Sequence, residues 1–259
     1  MKPRVMSLVL FTCMVGLIIA PNNVSYLNSV LSLIAVALGA GAAGTLNMWY
    51  ESDLDALMTR TCLRPIPTGQ VTKNQALFFG VLLSIGSISL LYFSSNLMSA
   101  SLLLLTICFY FFIYTVWLKR RTPQNIVIGG AAGALPPVIG WTIATGSLSI
   151  EPLILFLIIF LWTPSHFWAL SIYKSNDYKK AKIPMLPIIY GIDKTKKNIF
   201  IYSLLMLPTI SAPYLIGFLS EIFFYPASVL TIYYVYLCGT LLKIKKSKEI
   251  NSLARKIFL

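Results

Sequence analysis

Residues 97–117 read LMSASLLLLTICFYFFIYTVW and contain no charged side chain. This stretch is as long as the roughly 20 residues that an α-helix needs to cross about 30 Å of hydrocarbon. Similar apolar stretches recur along the 259 residues. They predict eight membrane spans, near residues 5–20, 26–48, 75–93, 97–117, 126–145, 152–172, 199–219 and 223–242. The first stretch is short, but no clear cleavage site follows it, so we interpret it as a span and not as a removed signal peptide.

The composition supports a chain that lies in a bilayer. Hydrophobic residues make up 57% of the sequence and charged residues 11%, whereas a soluble domain carries roughly 25% charged residues. Too few polar residues remain to cover a water-facing surface. We therefore predict an all-α, polytopic membrane helical bundle, with residues 1–259 forming a single membrane-embedded domain.

The positions of the basic residues predict the orientation of the spans. All 21 lysines and arginines fall at the N-terminus, in alternate loops and after the last span. The other loops, near residues 21–25, 94–96, 146–151 and 220–222, contain none. Because positive loops stay inside, we expect both termini and the polar loops on the cytoplasmic side of the inner membrane. The net charge of +13 is thus mainly a topology signal and does not indicate nucleic-acid binding.

The most distinctive polar pattern, NMWYESDLD at residues 47–55, lies where the second span ends. If the helix continues, Asn47, Glu51 and Asp55 share one face because they are four residues apart, while Asp53 points elsewhere. Oxygen ligands of this kind suit a hard cation such as Mg²⁺. The alternative interpretation is a solvated helix end.

Basic residues follow the acidic pattern. Arg60 and Arg64 lie downstream of it, and arginines beside a carboxylate–metal cluster are suited to a diphosphate. An apolar chamber lined by helices beside such a head-group site would accept a lipid-tailed diphosphate. Departure of the diphosphate would leave an allylic cation, which aromatic walls would protect from bulk water.

The end of the sixth span carries a second set of polar residues. Tyr173 and Asp177 are again four residues apart, and we expect them to face the first cluster. His166 is the only histidine and lies within an apolar helix. An ionisable group in such a helix is a functional candidate, although a hydrogen-bonded structural histidine is an equal alternative.

Two further features concern packing. Small residues concentrate at 39–44 and 129–133, where they permit close approach of helices. Pro136 and Pro137 are predicted to interrupt the fifth span. The four cysteines have no metal-like spacing, so we interpret them as free thiols.

Several strings together resemble a known family. The sequence is similar, over essentially its whole length, to the protoheme IX farnesyltransferases (heme O synthases), a branch of the intramembrane aromatic prenyltransferases. The strings that carry the resemblance are NMWYESDLD at 47–55, RTCLRP at 60–65, WLKRRTPQNI at 117–126, TPSHFW at 163–168 and IPMLP at 183–187. Those around KRRTPQN and PSHFW are specific to the heme branch.

The resemblance implies a reaction and a set of site residues. In that family, farnesyl diphosphate alkylates the 2-vinyl group of heme b with addition of water, which gives heme O and diphosphate. Farnesyl diphosphate and heme b are then the substrates, Mg²⁺ is the cofactor, and membrane lipid surrounds the enzyme. A transient contact with the next heme-modifying enzyme or with a terminal oxidase is also expected.

The implied roles fall into three groups. The catalytic residues are Glu51, Asp55 and Tyr173. The metal ligands are Asn47, Glu51, Asp55 and Asp177. The substrate-binding residues are Arg60, Arg64, Lys119, Arg120, His166 and Lys174.

The sequence departs from the family pattern in three places. Glu51 stands where the family usually has aspartate, and Asn176 stands where it has an acid. The resemblance also implies a ninth apolar span beyond Leu259, which the 259 residues do not include. Two alternatives remain open: a related prenyltransferase acting on a quinone or chlorophyll precursor, and a membrane transporter.

Overall fold

The computed structural model describes residues 2–22, 24–59 and 61–259, and the described part of the chain contains helices but no strand. The first helices are α1 (Pro3–Ile18), α2 (Tyr26–Tyr50), α3 (Ser52–Leu57), α4 (Lys73–Ser94) and α5 (Leu97–Cys108), which continues as a π-helix (Phe109–Leu118). They are followed by α6 (Asn125–Ala134), α7 (Pro136–Thr145), α8 (Ile150–Tyr173), α9 (Ser175–Lys180) and α10 (Leu186–Ile189). The last three are α11 (Gly191–Leu215), α12 (Glu221–Lys243) and α13 (Ser247–Phe258).

Seven of the predicted spans coincide with segments that are long and apolar enough to cross a membrane. The eighth candidate, α1, has 16 residues, which at about 1.5 Å per residue gives roughly 24 Å. The all-α, multi-pass architecture is therefore confirmed, whereas the count of eight spans is not. Large apolar side chains such as Phe93 and Ile222 are exposed, as expected for a surface that faces lipid.

The chain divides into two compact units, one of residues 1–118 with 131–156, the other of residues 119–130 with 157–259. The prediction of one domain over residues 1–259 stays a prediction. In the first unit, α2 packs on α4 and α1 packs on α7. Its buried core includes Cys13, Val36, Leu91, Leu103 and Ile139.

Glycines bring α1 and α7 into backbone contact. A Cβ atom at Gly140 would lie 1.9 Å from the Cys13 carbonyl oxygen, and one at Gly16 would lie 2.1 Å from that of Pro137. Small residues allow this close approach. The predicted interruption of the fifth span is confirmed, because α6 ends at Ala134 and α7 begins at Pro136.

In the second unit, α11 packs on α12, and α12 contacts α13. Helix α13 is amphipathic: Ile250, Ala254 and Ile257 are buried, while Arg255 and Lys256 are exposed. It contains too many charged residues to be a membrane span. It therefore adds a polar-faced helix to the second unit after the last apolar one.

Both acidic motifs lie across a break between a long helix and a six-residue helix. Glu51 separates α2 from α3 with φ −97° and ψ 15°. Lys174 separates α8 from α9 with φ −105° and ψ 21°. These dihedrals lie near the bridge region, which ends a helix without inserting a loop.

Candidate functional site

The predicted oxygen stripe exists in the first unit. Asn47 is 0% exposed, and Glu51 and Asp55 are each 1% exposed. The backbone connects them in steps of four residues: Glu51 N–H donates to Asn47 O at 3.0 Å, and Asp55 N–H donates to Glu51 O at 2.8 Å. The Asn47 side-chain amide also donates to Glu51 Oε2 at 2.9 Å. The helix break therefore leaves the predicted register intact.

Two neighbouring segments orient the Asn47 side chain. Its Nδ2 donates to Thr115 Oγ1 at 3.0 Å, and Thr115 in turn donates to the carbonyl of Tyr110, five residues earlier in the π-helix. On the other side, Lys2 Nζ donates to Asn47 Oδ1. The amide oxygen thus faces a cation. A π-helix at such a position agrees with the frequent occurrence of π turns at functional sites.

Arg64 neutralises the far end of the stripe. Its Nη1 lies 2.6 Å from Asp55 Oδ2, and the side chain of Arg64 is 23% exposed. Asp53 has a different environment, as the spacing predicted: it is exposed and lines an open cleft with Thr72 and Lys73. Asp55 is thus buried in the stripe, whereas Asp53 is exposed. Arg60, predicted to bind substrate, lies outside the described residues.

The stripe has the chemistry of a hard-cation site. It provides one amide oxygen and two carboxylates, all buried, and its oxygens already bind the cationic groups of Lys2 and Arg64. Oxygen ligands of this charge suit Mg²⁺. No group of three or more His, Cys, Asp or Glu side chains that could hold a metal ion occurs in residues 2–22, 24–59 and 61–259. The metal assignment of Asn47, Glu51, Asp55 and Asp177 stays a prediction.

The second unit contains the other predicted polar residues. Lys119 is 7% exposed and Asp177 is 8% exposed, so both charges are buried, whereas Arg120 is exposed. Tyr173 ends α8, and Lys174 Nζ lies 5.7 Å from the centre of its ring. That Tyr173 and Asp177 face the first cluster stays a prediction.

His166 lies among aromatic rings of the second unit. Its ring centre is 4.2 Å from that of Trp162 and 4.5 Å from that of Phe258, at interplanar angles of 33° and 30°. Phe167 approaches edge-on at 5.2 Å. His166 Nδ1 is buried and has no hydrogen-bond partner among the described residues. The substrate-binding role of His166 stays a prediction.

Sequence reasoning missed the residues that surround these side chains. Lys2 was assigned only to topology, and Thr115 and Phe258 were not singled out. One signal was available for Lys2: consecutive spans run antiparallel, so the start of α1 lies beside the end of α2. No comparable signal pointed to Thr115, because its orientation depends on the π-helix.

Comparison with known proteins identifies the family. Residues 9–259 match the UbiA prenyltransferase family. A protoheme IX farnesyltransferase of Pelagibacter ubique (strain HTCC1062) is 66% identical over 258 residues, which cover 100% of this chain and 85% of that protein. Protoheme IX farnesyltransferase 2 of Mesorhizobium japonicum is 49% identical over 258 residues, covering 100% of this chain and 82% of that protein.

Solved structures show the same fold at low sequence identity. A digeranylgeranylglyceryl phosphate synthase superposes with a TM-score of 0.80 at 20% identity, covering 96% of this chain and 87% of that one. A UbiA homolog from Archaeoglobus fulgidus bound to DMAPP and Mg²⁺ gives a TM-score of 0.73 at 17% identity, covering 98% and 96%. Sequence and fold agree, and the chain belongs to the UbiA prenyltransferase family.

Proposed function

We propose that this chain transfers the farnesyl group of farnesyl diphosphate to the 2-vinyl group of heme b (protoheme IX), with addition of water, forming heme O and diphosphate. The observation that carries the proposal is the buried stripe of Asn47, Glu51 and Asp55, with Lys2 and Arg64 on its oxygens. A stripe of this composition can bind a metal–diphosphate head group. The names of the similar farnesyltransferases support heme b as the acceptor.

The proposed roles follow from the chemistry of the side chains. Asn47, Glu51, Asp55 and Asp177 would hold Mg²⁺, which when bound would neutralise charge on the leaving diphosphate. Arg60 and Arg64, with Lys119, Arg120 and Lys174, donate to diphosphate oxygens, where cationic donors stabilise the developing negative charge. A UbiA homolog from Archaeoglobus fulgidus is bound to DMAPP and Mg²⁺, which supports the use of Mg²⁺ in this proposal.

The bond between farnesyl C1 and the diphosphate oxygen breaks, and its electron pair leaves with diphosphate. The vinyl group supplies the electron pair for the new carbon–carbon bond, and water adds to the resulting cation with loss of one proton. Apolar and aromatic walls delay capture of the first cation by bulk water. We place Tyr173, half-buried at the end of α8, beside the reacting carbons.

The heme acceptor is proposed to bind at the aromatic cluster of His166, Trp162 and Phe258. The rings of Trp162 and Phe258 lie 4.2 and 4.5 Å from that of His166, tilted by 33° and 30°, and such aromatic surfaces are suited to contact with a flat porphyrin. The imidazole is also a candidate ligand of the heme iron, since neutral histidine nitrogen binds iron well.

We further propose that the enzyme lies in the inner membrane with its basic loops in the cytoplasm. Heme O then passes by transient contact to the next heme-modifying enzyme or to a terminal oxidase.

The decisive test is a product assay. Membranes containing the folded chain, heme b, farnesyl diphosphate and Mg²⁺ should form heme O, detected by chromatography. A chelator should stop the reaction and added Mg²⁺ should restore it. Absence of heme O would contradict the proposal.

An assay in the same membranes distinguishes heme farnesylation from prenylation of a quinone or chlorophyll precursor. A prenylated quinone or chlorophyll precursor, formed in place of heme O when both acceptors are supplied, would indicate the related prenyltransferase reaction. Membership of a prenyltransferase family already sets aside the transporter alternative.

A further inference from the structure

Lys2 contacts the stripe, but the proposed reaction assigns it no role of its own. Its ammonium group donates to Asn47 Oδ1 and, at 3.3 Å, to the hydroxyl of Tyr110. The stem of Lys2 lies on α2 at Gly44, where a Cβ atom would be 3.6 Å from Lys2 Cγ. The stem therefore lies within van der Waals distance of this position of α2. A cation from the first helix is therefore held against an oxygen proposed to bind metal.

Within the described residues, two basic side chains lie next to the two carboxylates of the stripe. Glu51 and Asp55 contribute two negative charges at 1% exposure each, and Lys2 and Arg64 contribute two positive charges next to the same stripe. Buried carboxylates without cations are strongly unfavourable. The two basic side chains thus allow the stripe to remain folded in the absence of ligand.

A divalent cation changes this balance. If Mg²⁺ entered while Lys2 and Arg64 stayed in place, four positive charges would surround two carboxylates. A bound diphosphate offers anionic oxygens to which the displaced side chains can move. Lys2 is suited to such a move because it is only partly buried and its ammonium group is carried on a flexible four-carbon stem.

We propose that Lys2 is an exchangeable counter-cation: it neutralises the Asn47–Glu51–Asp55 stripe when the site is empty and binds a diphosphate oxygen when metal and diphosphate enter together. The inference rests on the proposed function, because it requires a metal–diphosphate ligand. It makes metal and diphosphate binding mutually dependent, since each ligand removes a barrier to the other. The competing explanation is that Lys2 only fixes the orientation of Asn47.

The test measures binding without heme and without turnover. The full chain in lipid nanodiscs is titrated with Mn²⁺ as a spectroscopic probe for Mg²⁺, with and without inorganic pyrophosphate. The variants are Lys2→Met, Lys2→Arg and the matched control Arg4→Met, which removes an exposed charge two residues away. Size-exclusion profiles and helical circular dichroism verify that each variant is folded.

Each explanation predicts a different pattern. If Lys2 exchanges, Lys2→Met binds Mn²⁺ alone about tenfold more tightly, because the competing cation is gone, and binds pyrophosphate with Mn²⁺ about tenfold more weakly. Lys2→Arg and Arg4→Met stay within about threefold of the wild type. If Lys2 only orients Asn47, Lys2→Met weakens Mn²⁺ binding alone, and the inference is overturned. It is equally overturned if Lys2→Met behaves like Arg4→Met.

The unmodified protein gives an independent test if Lys2→Met does not fold. Pyrophosphate should then tighten Mn²⁺ binding by about tenfold or more, and independent binding of the two ligands would overturn the inference. If the wild type binds neither probe, the proposed metal–diphosphate site fails as well. If the wild type binds both without coupling, only the inference about Lys2 fails.

Discussion

Asp55→Asn is the substitution that tests the proposed site most directly. Asp55 is 1% exposed and its Oδ2 lies 2.6 Å from Arg64 Nη1. Asparagine keeps the shape of the side chain and one acceptor oxygen, so it removes the charge without creating a cavity. It leaves a positive charge on Arg64 and only one carboxylate in the stripe.

The size of the effect on stability follows from this geometry. Removing one partner of a fully buried ion pair costs about 3–5 kcal/mol. Arg64 is 23% exposed and is partly stabilised by water, and asparagine still accepts a hydrogen bond. We therefore expect a smaller loss, about 1–2 kcal/mol, and a fall in Tm of about 2–6 °C. The protein should remain folded.

The effect on turnover should be far larger than the effect on stability. A neutral side chain at a metal-binding and charge-stabilising position should reduce heme O formation by about 100-fold or more. The assay is initial-rate chromatography in reconstituted membranes, with the amount of folded protein matched by circular dichroism. Asp53→Asn is the matched control, because Asp53 is exposed. It should change stability by less than about 0.5 kcal/mol and turnover by less than about threefold.

Two outcomes would refute the reasoning. Turnover of Asp55→Asn within about threefold of the wild type would remove Asp55 from the metal site. An equal loss in Asp53→Asn would show that total negative charge matters and that the buried stripe does not.

Two further substitutions test other parts of the structure. His166→Ala should raise KM for heme b by about tenfold, while KM for farnesyl diphosphate should change less than twofold. His166→Phe keeps an aromatic ring but lacks the ring nitrogen, so it should not restore heme binding if the imidazole binds iron. Full restoration of heme binding by His166→Phe would mean that ring stacking alone suffices. Gly140→Ala should destabilise the fold by about 1–3 kcal/mol in thermal unfolding, because its Cβ would lie 1.9 Å from the Cys13 carbonyl oxygen. The control Gly133→Ala, whose Cβ meets nothing within 4 Å, should be neutral or slightly stabilising, and an equal loss in both variants would contradict the packing argument.

Hydropathy predicted most of the fold, because a membrane span needs only length and apolar composition. The interruption of the fifth span was predicted from Pro136 and Pro137, whose rings do not fit a helix interior. Hydropathy fell short at α1, whose 16 residues are too few to decide. It also missed α13. That helix has 12 residues and alternates buried apolar and exposed basic positions, so no long apolar stretch marks it.

The stripe itself was predictable because a four-residue spacing has a direct geometric meaning on a helix. Its partners were less predictable, since they come from segments far away in sequence: Lys2 is 45 residues and Thr115 is 68 residues from Asn47. A single sequence specifies which residues are charged, but long-range packing decides which cation meets which carboxylate. The division between Asp53 and Asp55 was predicted because it depends on local geometry alone.

The two acidic motifs have the same four-residue spacing but different backbone hydrogen bonds at their helix breaks. At the first break, Asp55 N–H donates to Glu51 O at 2.8 Å, so the four-residue register continues. At the second break, Asp177 N–H donates to Lys174 O at 3.1 Å, three residues earlier and not four. A three-residue step is the tighter 3₁₀ connection. Lys174 O also accepts from Tyr178 N–H at 3.4 Å, four residues later. The second break therefore combines a 3₁₀ step with an α-helical step, which the four-residue spacing of Tyr173 and Asp177 in the sequence does not reveal.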